Sequence, residues 1–208
     1  MSNRQARILA AGCAAVLAAT LAAAPVLAAG TWTIHPGGAI TATSGKTVLK
    51  DTRTGTGITC VSATASGTLK HGSGLPGSHA GALPAVGITT CGGPVRFHLQ
   101  ATDLPWHVNL SSYDAATGVV TGTLSHIQLT LSGDGCTAVI GGTSGTALDG
   151  RVRFRYTDST GQLTVLAHSG NLHFWNVSAG CLGLVNTGDP ATLGATFTVS
   201  PKQVITSP

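Results

Sequence analysis

The stretch that decides the fold is Arg151–Val177, RVRFRYTDSTGQLTVLAHSGNLHFWNV. Arg151, Arg153 and Arg155 alternate with Val152, Phe154 and Tyr156, so one face is charged and the other apolar, as on a strand. Asp149-Gly150 just ahead of it is a two-residue hairpin signal, because both central residues of that turn need φ > 0. Thr157–Gly161 turns the chain, and Gln162–His168 runs back with Leu163, Val165 and Ala167 on one face. Gly170-Asn171 turns it again and Leu172–Val177 follows. A two-residue turn there sets His168 opposite His173. Consecutive antiparallel strands need no crossover, so the expected unit is a twisted antiparallel meander packed on one face.

The same period recurs outward from this stretch. Thr31–His35 alternates and stops at Pro36. Ala39–Thr43 and Thr47–Lys50 read as a hairpin around Ser44-Gly45, with Gly57–Ala63 and Gly67–Lys70 after it. His71–Gly81 is Gly-rich and reads as a connection; with no strand before it and helix after it, it does not resemble a phosphate cradle. Leu83–Cys91, Val95–Ala101 and Trp106–Leu110 are further strands. Val119–Leu131 is long, with Gly122 as a bend or bulge. Ala179–Pro190 lacks alternation and reads as an ordered loop or a single helical turn held by Cys181. Thr192–Ser200 is the last strand, ended by Pro201. The expected architecture is all-β, an antiparallel sandwich or partly closed barrel, in one domain over residues 30–208.

Composition agrees. Charged residues are 9% of the 208, against about a quarter in ordinary globular chains. All seven acids are Asp, and the depletion of Glu and Lys beside abundant Thr and Val favours strands over helices. Arg4 and Arg7 precede an apolar run that ends in small residues at Ala28-Ala29, the pattern of a cleaved signal peptide over residues 1–29. After cleavage nine Lys and Arg face seven Asp, a net charge of +2. That balance excludes a nucleic-acid partner, and no membrane span remains.

Cys60, Cys91, Cys136 and Cys181 are then left, and four cysteines in an exported chain imply two disulfides. Three pairings exist. Cys60–Cys91 with Cys136–Cys181 is expected because it gives each half of the chain its own bridge.

The pieces WHVNLSSYDAATGVVTGTL, LSGDGCTAVIGG and AGCLGLVNTGDPATLGATFTVSP resemble a group of secreted, β-rich actinobacterial proteins. That resemblance implies an exported β protein and no activity or site residue. The composition is also similar to that of the neocarzinostatin-like chromophore carriers, which offer an analogy for an apolar-ligand carrier.

No motif names a chemistry, and no cofactor is implied. Arg151, Arg153 and Arg155 suit phosphate, carboxylate or an acidic polysaccharide, or form a solvated face that discourages edge pairing. Trp106 and Trp175, with Trp32, are candidates to line a small-ligand pocket or simply to pack the core. His168 and His173 are the nearest thing to a metal pair, but no third ligand is evident. Ser, His and Asp are plentiful, yet no nucleophile elbow is present and Asp114, Asp134, Asp149 and Asp158 sit in turns. The expected function is a secreted, non-enzymatic binding or structural domain whose partner is a cell-wall component or small ligand. The alternatives are a hydrolase with a scattered Asp/His/Ser site and a carrier of a small apolar ligand.

Overall fold

A computed structural model describes residues 30–208; the expected signal peptide lies outside the described residues. Fifteen strands and one 3-10 turn follow in order. They are β1 (Thr31–His35), β2 (Gly38–Asp51), β3 (Gly57–Leu69), β4 (Gly72–Pro76) and β5 (Gly81–Gly92). Then come β6 (Arg96–Thr102), β7 (Trp106–Asp114), β8 (Val119–Ser125), β9 (Gln128–Gly133) and β10 (Cys136–Gly141). β11 (Arg151–Thr157), β12 (Gln162–Val165), β13 (His173–Trp175), the turn Ala179–Cys181, β14 (Ala191–Ser200) and β15 (Val204–Thr206) complete the chain.

Eight strands close an antiparallel barrel in the order β5-β3-β2-β14-β12-β11-β8-β7, and β7 returns to β5. The closing seam is short: Gly81, Ala82 and Leu83 pair with Val108, His107 and Trp106. Closure removes the open edges that an antiparallel sheet otherwise exposes. Alternation drives it. In β11 the residues read exposed, buried, exposed throughout, so Val152, Phe154 and Tyr156 enter the barrel while the arginines leave it.

The rest of the sheet departs from the end of β5. Only Cys91 and Gly92 pair with β6, and β9, β10 and β13 continue outward from there. This arm packs Phe97, Leu99, Leu129, Leu131, Ile140 and Phe174 into its own part of the core. The disulfides fall as expected: Cys60–Cys91 joins register partners of β3 and β5, and Cys136–Cys181 ties β10 to the 3-10 turn.

β15, β1 and β4 form a separate three-stranded sheet. Gln203, fully buried, connects it to the barrel end. The Gln203 N–H donates to the Tyr156 hydroxyl at 2.8 Å, and that hydroxyl donates to the Gln203 carbonyl at 2.9 Å. The Gln203 side chain accepts from Gly37 N at 2.8 Å and donates to the Pro201 carbonyl at 2.8 Å. Ile205 N donates to Asp158 Oδ2 at 3.1 Å. Below Gln203 and Ile205 the barrel holds a void of about 70 Å³, walled by side chains that include Ile40, Leu83, Trp106, Phe154 and Val199.

Several local expectations are corrected. The fold class itself is as expected, an antiparallel all-β barrel, which the pairing of β7 with β5 closes. Ser44-Gly45 does not turn; β2 runs straight through it, with an irregularity against β14 between Ala195 and Phe197. The Gly-rich connection contains β4. Val119–Leu131 is two strands broken at His126, whose φ of 62° is left-handed. Asp149-Gly150 is no hairpin, because β11 pairs with β8 and β12 and not with β10. Asp149 instead accepts from the Thr143 N–H and hydroxyl, closing the loop before β11. The meander ends at β12. β13 crosses to β10, so His173 lies against Gly141 and His168 is exposed in the connecting loop. The expected facing of His168 and His173 therefore does not occur, since the chain leaves the barrel there for the outlying arm and makes no tight turn.

Candidate anion-binding face of the barrel

The outer face of β7, β8 and β11 is a grid set by strand register. Arg151 lies beside Ser125, which lies beside His107. Arg153 lies beside Thr123 and Asn109, and Arg155 beside Thr121 and Ser112. The row of Arg155 continues the other way through Thr164 of β12 to Thr196 of β14. Partners in an antiparallel pair project on one side, so three guanidinium groups stand about 7 Å apart along β11 with hydroxyls on both flanks. Asn109 is fixed within the grid: its side-chain N–H donates to Ser125 Oγ at 2.9 Å and its oxygen accepts from His79 N at 2.9 Å. Ser112 and Thr121 share a hydrogen bond of 2.6 Å.

The position of β11 bears on why the arginines are there. β11 is an interior strand of the barrel, paired with β8 over Arg151–Thr157 and with β12 over Phe154–Thr157. Beyond the end of β12, loop side chains complete the pairing: Arg151 N donates to Asn171 Oδ1 at 2.8 Å and Arg153 N to Ser169 Oγ at 3.1 Å. The arginines are exposed and meet no carboxylate at ion-pair distance; among the described residues the one ion pair is Arg53–Asp189. Asp149 lies near enough to Arg151 for that charge to help hold its carboxyl below the ordinary value, behind the larger effect of its Thr143 hydrogen bonds.

At the seam corner of the grid three histidines stand in a row. The His107 ring is 4.7 Å from that of His79 and 4.8 Å from that of His126, both edge-on. His79 and His126 both have left-handed backbone, with φ of 49° and 62°. Burial depresses the His107 pKa, and the His126 and His79 charges depress it further. The folded chain thus binds that proton more weakly than the unfolded chain, so the contribution is complete above the ordinary imidazole value of about 6.5 and is lost as pH falls below it. The melting temperature is expected to fall between about pH 7.5 and about pH 5.5, and His107→Gln is expected to shrink that fall. Equal pH dependence in the two proteins would show that the row carries no such linkage. The raised pKa values of Asp51 and Asp158, both due first to burial, work in the opposite sense and add stability on acidification. Comparing the two proteins cancels them.

The other sequence candidates are placed elsewhere. Trp106 lines the barrel void. Trp175 lies on β13, where its indole N–H donates to the Gly142 carbonyl at 3.1 Å. Trp32 is buried in the small sheet. Among the described residues no group of three or more His, Cys, Asp or Glu is arranged to hold a metal ion. His173 Nδ1 donates to the Asn171 carbonyl at 2.9 Å. The structure also brings together two acids that the sequence keeps far apart. Asp51 and Asp189 are buried neighbours, and Asp189 pairs with Arg53 at 3.1 Å. Both are sealed, at 0% and 3% exposure, and Asp51 Oδ1 accepts from Arg53 N and Thr54 N. They hold a turn together and offer no surface to a substrate. Neither this pair nor the histidine row has a local sequence signature, since each is assembled from different strands.

No protein family, curated protein or solved structure matches the chain.

Proposed function

We propose that this is an exported, non-enzymatic binding protein of the cell envelope, and that the arginine face of its barrel engages an acidic polymer of the wall. The signal-peptide pattern and the two disulfides support export to an oxidising setting. The observation that carries the binding is the row Arg151, Arg153 and Arg155. It stands on an interior strand of the barrel, forms no ion pair, and lies beside rows of hydroxyl residues. Arginine presents a planar fork of donors that matches carboxylate and phosphate oxygens, and hydroxyls accept and donate to sugar oxygens. Repeating anions along a polymer meet repeating cations along a strand. A rigid sheet presents them with little ordering cost.

Polygalacturonate and polyphosphate serve as carboxylate and phosphate probes. The protein is expected to bind at least one, more weakly as salt rises, because exposed charges are screened over about 10 Å at 0.1 M. Replacing all three arginines with glutamine is expected to weaken binding roughly tenfold or more, the equivalent of about 1.4 kcal/mol. Undiminished binding by a folded triple variant would refute the assignment.

A further inference from the structure

The histidine row stands at the Arg151 end of the grid. Arg151, Ser125 and His107 are partners across β11, β8 and β7, so Arg151 and His107 are two strand spacings apart, about 10 Å. Trp106 and Val108 turn inward and are buried, while His107 between them is half-buried and shares the outer face with Asn109. His79 is exposed and His126 half-buried. The three rings come from three segments: the loop ahead of β5, β7 itself and the corner between β8 and β9. They meet at 4.7 and 4.8 Å with His107 in the middle.

The row has cations around it and no acid paired with it. Arg151 faces it across Ser125, and Lys70 Nζ donates to the Ser78 carbonyl, next to His79, at 3.5 Å. Gly81–Leu83, paired with β7 at the seam, carries no charge, and neither does β8. The acids on the flanking segments are Asp103, in the loop before β7, and Asp149, before β11. Neither forms an ion pair with a histidine, since among the described residues Arg53–Asp189 is the one ion pair. Protonating the row therefore sets like charges side by side. The His107 pKa is lowered first by burial and then by the charges of His126 and His79.

Resting on the assignment of the arginine face to an acidic polymer, we propose that His79, His107 and His126 are a second, proton-dependent set of contacts on that face, so that the protein holds the polymer more tightly in acid than at neutral pH. An anion laid across the row offsets the repulsion among the rings and favours their charged form. An imidazolium also donates from both ring nitrogens, where the neutral ring donates from one. The sign follows by reciprocity. A bound anion makes the row hold its protons more tightly, so binding takes up protons, and added protons tighten binding. Affinity rises as pH falls through the imidazole range around 6.5, and above it the arginines alone hold the polymer. Arg151 and His107 are close enough to act on one stretch of chain, since exposed charges are screened over about 10 Å at 0.1 M salt.

The test uses long-chain polyphosphate, whose chain phosphates stay ionised from about pH 5.5 to about pH 7.5, and the full chain at constant low salt, with circular dichroism confirming the fold at both pH values. Binding is expected to be roughly tenfold tighter at the lower pH. Calorimetry near pH 6.5 in two buffers of different ionisation enthalpy is expected to show net proton uptake on binding. His79→Asn combined with His107→Gln is expected to bring the ratio of the two affinities below about twofold and to remove most of the uptake. His79→Asn alone is expected to lower both; the site is exposed and Asn accepts its left-handed backbone, so this variant serves should the double one fail to fold. Equal affinity at the two pH values, no proton uptake, or an undiminished ratio in His79→Asn and the double variant would each overturn the inference. Binding that needs the arginines but ignores pH sinks this inference and leaves the arginine face standing. Acid-dependent binding that survives loss of all three arginines does the reverse, and no binding at either pH overturns the inference outright.

Discussion

Gly122→Ala is expected to destabilise the barrel by about 3 kcal/mol or more, the upper range for overpacking, and to lower the yield of folded protein sharply. Gly122 is the central residue of β8, between Leu110 of β7 and Phe154 of β11. A Cβ built there lies 2.2 Å from the Asn109 carbonyl oxygen and 2.5 Å from Phe154 Cζ. The ring is 1% exposed and fills the barrel core, so it has little room to retreat. The carbonyl has less, because it belongs to β7 one residue before the register irregularity between Leu110 and Ser112. The irregularity lies on the partner strand, and Gly122 is what lets that strand approach. A double variant separates the two contacts. Adding Phe154→Leu relieves the ring clash only, so Gly122→Ala with Phe154→Leu is expected to remain well below Phe154→Leu alone. Thermal melting within a degree or two of the parent for Gly122→Ala would show that the strands give way easily.

Replacing Cys136 and Cys181 by alanine is expected to cost about 2–4 kcal/mol, with the damage concentrated in the outlying arm. Both cysteines are 1% exposed, and the bridge spans 45 residues of chain. What it holds is irregular: the 3-10 turn at Ala179–Cys181 and the loop to Pro190, which includes Asp189 beside Asp51. Few other ties fix that turn to β10, chiefly Ser178 N to the Thr137 carbonyl and Thr137 N to Ser178 Oγ, both at 2.9 Å. Hydrogen exchange is expected to quicken across residues 178–190 and β10 while β2, β3 and β14 stay protected. The Cys60–Cys91 bridge is the control. It joins strands already paired along most of their length, so its removal is expected to slow no local refolding and to open no segment. Unchanged exchange in residues 178–190 without the Cys136–Cys181 bridge would refute the account.

Much of the architecture was legible from residue order, and the reasons are local. The alternation in Arg151–Tyr156 survives because a strand in a one-sided sheet has no other way to bury Val152 and Phe154. The disulfide pairing was expected because it gives each half of the chain its own bridge, and the structure forms both. The misreadings have a common cause. Ser44-Gly45 and Asp149-Gly150 carry turn residues, but the same residues also serve at strand irregularities and loop closures, and only partners in space choose between them. His168 and His173 were placed together by assuming that consecutive strands pair, a rule broken where β13 leaves the barrel for β10.

The candidate sites divide in the same way. The arginine row can be read from the sequence, since its spacing is that of one strand. Its setting cannot: whether β11 is an edge depends on its pairing with β8, more than twenty residues back in the chain, as well as with β12. The histidine row, the Asp51–Asp189 pair and the void beneath Gln203 were invisible for that reason too. Residue order by itself determined the strand-forming periodicity and the apolar faces, because these depend on neighbours along the chain. Tertiary structure alone decided that the sheet closes and which side chains share a face across strands. Those depend on register and shear, which no short stretch of sequence encodes.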